Sequence, residues 1–512
     1  MSYESIFYKH ILQGGEMKRV GLGLFGAGIV LSMSLSATTL RDVVQDVLET
    51  NPVLKERLHN YKATSADLRG AESGYYPVID IEFGVGKDFQ GEFSSAGNEE
   101  YDVFRNSLVL RQNIFNGFST TERVDYQMMR SLAAAYSYLE KANDVTLQTI
   151  KVYIDLLRYR DLLSNAKKHV RHIEKLHTTV VKAYKSGLTK MSEVSKVRSS
   201  LSLAKSNMLV ARNRLANALY NFRRVTGRTV AIDSLKPVRF NLPLPSDQER
   251  ATLYALEYNP SLRVGKYNIK GAEALYRESK SRFYPTIDAE ISANYTDEMD
   301  SGRYYPDRED SIKAMLVVRY NIFNGGADEA ARLNRLSKVS QEMELVNDLR
   351  RQVMEGMDLS WSTYQLSREQ IPVLKRYRDQ SSNTLSLYWK EYKLGERSLL
   401  DLLATESDLK RANDELIDAR YNMLLSKYRI VDAMGMTMAS VMGDIKPYYR
   451  RVGLFNNGKV ERDDLPASYD HDSDGVVASK DLCADSKKWK NGVRPTGCRP
   501  PVNAVTTING GR

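Results

Sequence analysis

"LVLRQNIFNG" (108–117) and "LVVRYNIFNG" (316–325) are nearly the same ten residues, 208 positions apart in a chain of 512. The offset holds far beyond them. Asn51-Pro52 maps to Asn259-Pro260, Tyr76-Pro77 to Tyr284-Pro285, Tyr184 and Gly187 to Tyr392 and Gly395, Ala211-Arg212 to Ala419-Arg420, and Gly227 to Gly435. No insertion separates these anchors. The chain is therefore a tandem duplication of a unit of about 190 residues, too long for a stacked solenoid repeat.

Each copy opens its strand region after Tyr-Pro with period-two alternation. Ile79, Ile81, Phe83 and Val85 share one face, and Asp80, Glu82, Gly84 and Gly86 the other. In the second copy Ile287, Ala289, Ile291, Ala293 and Tyr295 oppose Asp288, Glu290, Ser292 and Asn294. Polar loops follow near 91–102 and 299–310. The returning strands set Leu108, Leu110 and Ile114, or Leu316, Val318, Tyr320 and Ile322, against Arg111 and Asn113, or Arg319 and Asn321. One apolar and one charged face suits a soluble sheet or a membrane barrel with a wet interior. Aromatic residues at the strand ends (Tyr75, Tyr76, Phe115, Phe118, Phe283, Tyr284, Tyr304, Tyr305 and Phe323) fit the two membrane interfaces. Four strands cannot close a transmembrane barrel, and open sheet edges are not tolerated in lipid. The strands must be pooled between copies of the chain, and a cyclic trimer supplies twelve.

The rest of each copy is helical. Residues 119–183 and 327–391 run about 65 residues each, interrupted only by Pro372, and at ~1.5 Å per residue span roughly 100 Å. Shorter patterns at 38–74 and 189–227, and at 247–281 and 397–435, are each near half that length. A heptad seam runs through Val197, Leu201, Ala204, Met208, Ala211, Leu215, Ala218, Phe222 and Val225. Its copy runs through Leu409, Ala412, Leu416, Ala419, Met423, Ile430 and Ala433, with Ser426 as the exception. Such spacing packs knobs into holes between helices.

A mean hydropathy of −0.45 and 27% charged residues exclude a helical membrane bundle. The net charge of +10 does not mark a nucleic-acid binder, because bases alternate with acids, as in "KKHVRHIEKLH" (167–177). "MKRVGLGLFGAGIVLSMSLSATT" (17–39) has a basic start, about a dozen apolar residues and small residues for cleavage. It is expected to be a signal peptide over 17–37, with Met17 the start and 1–16 an upstream extension; the run falls short of a membrane span. No cysteine lies near the cleavage zone for lipid attachment. The only cysteines, Cys483 and Cys498, are expected to pair in an oxidising compartment. His169, His172 and His177 read as surface histidines, and no nucleophile motif or phosphate loop occurs. No catalytic or cofactor-binding residue is expected, and no enzyme.

Together these features resemble the TolC family of trimeric outer-membrane export ducts over about residues 38–440. The tandem halves, the Tyr-Pro before the first strand and "NIFNG" after the second carry the resemblance. It implies an α+β membrane protein: a homotrimeric 12-stranded β-barrel, four strands per chain, continued by a long α-helical coiled-coil tunnel across the periplasm. "TNPVLKERLHNYKAT" (50–64) and "VYIDLLRYRDLL" (152–163) look like the type I secretion branch, which exports large adhesins or repeat toxins. The implied partners are outer-membrane lipid, a periplasmic adaptor and an inner-membrane ABC or RND transporter, with no nucleic acid. An outer-membrane factor of multidrug efflux is the alternative, and a structural periplasmic spacer a second one. The expected organisation is a first repeat 38–228, a linker 229–246, a second repeat 247–436, a linker 437–464, a tail module 465–500 and a terminus 501–512.

Matching turn motifs, "YKSGLTKMSEV" (184–194) and "YKLGERSLLDL" (392–402), place Gly187 and Gly395 between helices. By resemblance these turns form the tunnel entrance. Tyr392 and Arg397 would donate from the inner helix pair to Glu193, where the family more often has aspartate, and Asp401 would project into the entrance. Three copies of Asp401 make a carboxylate ring. A second ring three residues on is missing, because position 404 is Ala404, so the family's strong cation block does not carry over. In the tail, "DHDSDGVVASKDLC" (470–483) places Asp470, Asp472, Asp474, Gly475 and Asp481 at loop positions 1, 3, 5, 6 and 12, a pattern for Ca2+. It resembles the calcium-binding repeats before OmpA-like domains and in thrombospondin type 3 repeats, departing at Ala478. Transport itself needs no cofactor.

Overall fold

The computed structural model describes residues 38–90, 99–300 and 307–454. The first copy comprises helices α1 (Leu40–Thr50) and α2 (Pro52–Glu72), strands β1 (Val78–Gln90) and β2 (Glu99–Phe115), and helices α3 (Ser119–Lys185) and α4 (Met191–Thr226). The second repeats the order as α5 (Gln248–Tyr258), α6 (Pro260–Ser279), β3 (Thr286–Asp300), β4 (Asp307–Arg319), α7 (Ala327–Leu394) and α8 (Leu399–Ala433). Two short helices follow, α9 (Thr437–Met442) and α10 (Lys446–Arg451). The signal peptide, the calcium loop at Asp470, Asp472, Asp474 and Asp481, the cysteines Cys483 and Cys498, and Tyr304 and Tyr305 lie outside the described residues.

Where the periodicity predicts one helix over 38–74 and another over 247–281, the chain makes two in each. Proline has no N–H to continue a helix, and the residue before it is held extended. Asn51 and Asn259 both take an extended conformation and cap the helix that follows. The Asn51 side chain accepts from Val53 N at 2.9 Å, and Asn259 accepts from Ser261 N at 2.9 Å. Pro372, by contrast, sits inside α7 without ending it.

The strands form one antiparallel sheet in the order β1-β2-β3-β4, so the two copies meet at the β2–β3 pair. The pleat alternation predicted from sequence holds. Ile79 and Ile81 pair with Leu110 and Leu108, which pair onward with Ile291 and Ala293. This apolar face is bare: Phe83 is 76% exposed, Val85 86% and Ile312 83%. No helix among the described residues is long and apolar enough to cross a membrane. Most of the interface aromatics gather where strands meet helices and stand exposed, Tyr76 and Phe323 most of all, while Phe115 is half-buried.

The strand-to-helix break is made by "NG" as expected. Gly117 and Phe118 take φ of 64° and 68°, and Gly325 and Gly326 φ of 56° and 82°. Left-handed backbone is costly for a side chain as large as Phe118. Its ring packs edge-on against Phe115 at 5.4 Å. At Gly117 a Cβ would come within 2.6 Å of the Ser281 carbonyl, so the turn of one copy lies against the other.

The heptad seams face inward: Val197, Ala204, Leu215 and Phe222 are buried, as are Ala412, Leu416, Ala419 and Ile430. Ser426, which breaks the pattern, is also buried and donates to the Met423 carbonyl at 2.8 Å. The main core lies where α1, α5, α9 and α10 wrap the middle of α3 and the ends of α4 and α8. Both segments named as linkers take part in it. Leu235 is buried, Phe240 stacks edge-on with Tyr428, and the Tyr153 hydroxyl donates to the carbonyls of Thr38 and Lys236. Residues 437–454 likewise bury Met438, Tyr448, Tyr449 and Val452, so they are packed structure and no free linker. Their polar and Gly-containing spacing conceals a short run of core residues.

Candidate functional site

Polar groups are concentrated in two places, the inner face of the sheet and the far turns of the long helices. On the sheet, alternation sends Asp288, Glu290, Arg111 and Arg319 to the face opposite the apolar one. Arg111 reaches Glu290 on the next strand at 3.4 Å, and Asn113 donates to Asp288 at 2.7 Å. Arg319 bonds Asp288 at 2.7 Å and Glu290 at 3.2 Å. Charges of both signs share this face and pair with one another across the strands.

At the far end, α3, α4, α7 and α8 join in a second apolar cluster around Ile173, Leu176, Val194, Val197, Leu385 and Leu402. The two connecting turns close beyond it. Gly187 and Gly395 take φ of 73° and 79° in open space, and the chain turns back through bonds such as Leu188 N to Ala183 O at 2.8 Å and Glu396 N to Glu391 O at 3.0 Å. This is the left-handed helix stop that glycine permits.

Of the four residues singled out from sequence, the structure sets Arg397 beside Asp401 and Tyr392 within the influence of Glu193. Arg397 donates to Glu391 at 2.9 Å, approaches Asp401 at 4.0 Å, and lies over the Tyr388 ring at 4.1 Å. Asp401 also accepts from the Ser398 hydroxyl at 2.9 Å, while Ser398 in turn caps the Asp401 N–H, so Asp401 serves the start of α8 as well. Arg397 is not joined to Glu193 within the chain. Glu193, in the first turn of α4, accepts instead from the Thr189 hydroxyl. Tyr392 lies half-buried, and burial together with the Glu193 carboxylate pushes its phenol up. Ala404 is exposed, so the position one turn on from Asp401 carries no second carboxylate.

One group escaped sequence reasoning. Glu406 is only 2% exposed, yet it is a carboxylate. It bonds His172 Nδ1 at 3.3 Å and takes a hydrogen bond from Trp389, and burial pushes its pKa up. Sequence periodicity gave no signal for it, because the α8 seam continued upstream from Leu409 falls on Thr405 and Leu402, and Glu406 stands one residue off that line. His172 is exposed, as expected, whereas His169 and His177 are half-buried. Among the described residues no group of His, Cys, Asp or Glu could hold a metal ion.

Comparison with known proteins bears on both regions. The family described as "Outer membrane efflux protein" matches residues 43–228 and 254–436, which are the two repeats. The chain is 23% identical over 428 residues to outer membrane protein TolC of Escherichia coli (strain K12), covering 81% of this chain and 85% of that protein. It is 21% identical over 427 residues to alkaline protease secretion protein AprF of Pseudomonas aeruginosa, covering 81% and 88%. Among solved structures, the CmeC outer membrane channel of Campylobacter jejuni superposes with a TM-score of 0.70 at 14% identity, over 80% of this chain and 89% of that one.

Proposed function

Because the chain belongs to the outer membrane efflux protein family, we propose that it is the outer-membrane duct of a tripartite export system. Membership makes it an outer-membrane channel of the TolC type, with its helical tunnel in the periplasm, and not an enzyme. Its fold is the α+β fold of these channels, with four strands per chain contributed to a shared barrel. The observation that carries the trimeric reading is the open sheet: apolar outside, charged inside, with both edge strands unpaired. Lipid does not tolerate such edges, and three chains supply a closed barrel of twelve strands. A spacer has no use for a charged inner face.

The cargo we propose is protein, in type I secretion of a large adhesin or repeat toxin. The name of AprF, a protease secretion protein, supports this, as do the "TNPVLKERLHNYKAT" and "VYIDLLRYRDLL" segments. The family's own description favours multidrug efflux as the second reading. A periplasmic adaptor and an inner-membrane ABC or RND transporter would supply docking and energy. The turns at Glu193, Tyr392, Arg397 and Asp401 would form the gate. The signal at 17–37 would direct export, and the tail would bind Ca2+ through Asp470, Asp472, Asp474 and Asp481, clasped by Cys483–Cys498.

The test is a deletion strain compared with wild type for its surface and secreted proteins and for retention of a fluorescent efflux dye. Loss of one very large secreted protein with dye handling unchanged supports the secretion duct. Dye accumulation with an intact secretome moves the chain to drug efflux.

A further inference from the structure

Positive charge is not spread evenly along the chain. Residues 164–214, the half of the α3–α4 hairpin nearest its turn, hold twelve Lys and Arg against two acids. That net of +10 equals the net charge of the whole chain. The offset stretch of the second copy, 372–422, holds nine bases and nine acids. Both stretches fold into the same kind of helical hairpin, so the fold itself does not call for the charge.

Packing sorts the bases onto one face. On α3, the flank with Asn165 and His172 meets α8 through Asp414 and Glu406, and the flank with Val170, Ile173 and Val180 lies in the apolar cluster with α4. The side left over carries Lys168, Lys175 and Lys182 at steps of seven, with Arg171 beside them, all exposed. Followed upward by the same step, that side holds Ile154 and Leu157, which are buried in the main core with α1. Short helices on the inner side would plug a tunnel, so this is the outer surface of its wall. On α4, Arg198, Lys205 and Arg212 form a second exposed row at steps of seven. Lys205 reaches across to Glu174 of α3 at 3.0 Å, which sets the two rows side by side. Glu174 is the sole acid in "KKHVRHIEKLH", and this pair occupies it. Among the described residues no other ion pair engages either row. In the second copy the same positions read Arg376, Asp379, Asn383 and Lys390 on α7. On α8 they read Glu406, Asn413 and Arg420, so no basic row forms there.

Resting on the export-duct reading, we propose that this face docks an acidic α-helix of a periplasmic protein, on the first-copy hairpin and not on the second. Unpaired like charges repel one another and weaken the bare hairpin, and carboxylates of a partner offset that repulsion. Each row spans roughly 21 Å, four turns of helix. Straight rows at heptad spacing match a helix whose acids repeat every seven residues, as flanking charges do between paired helices. A flexible polymer of carboxylates would need no such rows. The other flanks of α3 are covered by α4 and α8 of the same chain, so a second subunit leaves this face open.

The test is carbodiimide coupling on cell envelopes carrying the full chain, because this reagent joins a lysine amine to a carboxylate that already lies against it. Amides are expected from Lys168, Lys175 and Lys182 to Asp or Glu residues at steps of seven in one helix of a second protein. Lys375, Lys390 and Lys393 on α7 are exposed too and should give only traces. A prior wash in about 0.5 M NaCl should remove most of the product, because exposed pairs are screened. Arg171→Glu combined with Lys175→Glu should lower the coupled partner roughly tenfold, with trimer yield in the outer membrane unchanged. Amides to residues 461–485 of this chain, or to cell-wall carboxylates, overturn the protein partner. Equal coupling from α7, or a partner retained after charge reversal, overturns the basic face as its seat. The deletion strain separates this from the duct. A coupled helix, with secretion and dye retention both unchanged on deletion, sinks the duct alone. Export lost on deletion, with no amides formed, sinks the docking face alone.

Discussion

Arg397 and Asp432 show what single side chains do at the two ends of the tunnel helices. Arg397 holds the last turn of α7 to the first turn of α8 through Glu391, Tyr388 and Asp401. All of these are local contacts, so its removal should loosen the turn and leave the helices intact. Arg397→Ala is expected to raise single-channel conductance in planar bilayers; an unchanged conductance removes the gate role. Asp432 is a matter of folding. Its carboxylate takes a hydrogen bond from Thr437 at 2.7 Å, and burial pushes its pKa up to about 6 from an ordinary 3.8. Between those values the folded chain holds a proton that the unfolded chain has released. Stability therefore falls as pH rises from about 4 to about 6 and is level above. Asp432→Asn should raise the melting temperature at pH 7.5, by up to about 3 kcal/mol in stability, and change little near pH 4. An equal gain at both pH values would show that ionisation is not the cause.

Periodicity carries elements well and their partners poorly. The two heptad seams and the strand faces were legible because burial repeats at 3.5 and 2 residues. The breaks at Asn51-Pro52 and Asn259-Pro260 were also written in the chain, as a capping side chain followed by a residue without an N–H, though they hide inside a continuous apolar pattern. Glu391 as the partner of Arg397 was not legible, because the pair forms only when the Gly395 turn folds the chain back. Nor was the packing of 229–246 and 437–454, since scattered Leu, Met and Tyr show no period. The sheet gives the sharpest test at this scale. Ile81 points outward beside Leu108, whereas Ser107 points inward opposite Glu82. Ile81→Arg should cost about 2–4 kcal/mol against lipid, while Ser107→Arg should be tolerated. The yield of heat-modifiable trimer in outer-membrane fractions reads the difference. Equal yields would mean that the apolar face does not meet lipid.

Over the described residues the two copies are interleaved and are not two domains in tandem, since β2 pairs with β3, α6 lies against α3, and α9 packs on α1 and α3. The last described residues close this arrangement. Met438, Met442, Tyr448, Tyr449, Val452 and Leu454 are all buried in the main core, and Asn143 on α3 bonds both the Gly435 carbonyl at 3.0 Å and the Met438 N–H at 2.9 Å. Six large apolar side chains at about 1.5–3 kcal/mol each sum to roughly 9–18 kcal/mol, on the scale of a typical domain's entire stability. Ending the chain after Met436 should therefore abolish assembly, although both repeats are then complete. Ending it after residue 460 keeps every one of these contacts and should leave trimer yield and melting temperature near those of the full chain. Both truncations can be read on the same gel of membrane extracts. If the shorter chain still assembles, the core does not depend on its closing segment; if the longer one fails, the tail contributes to the fold as well as to whatever it binds.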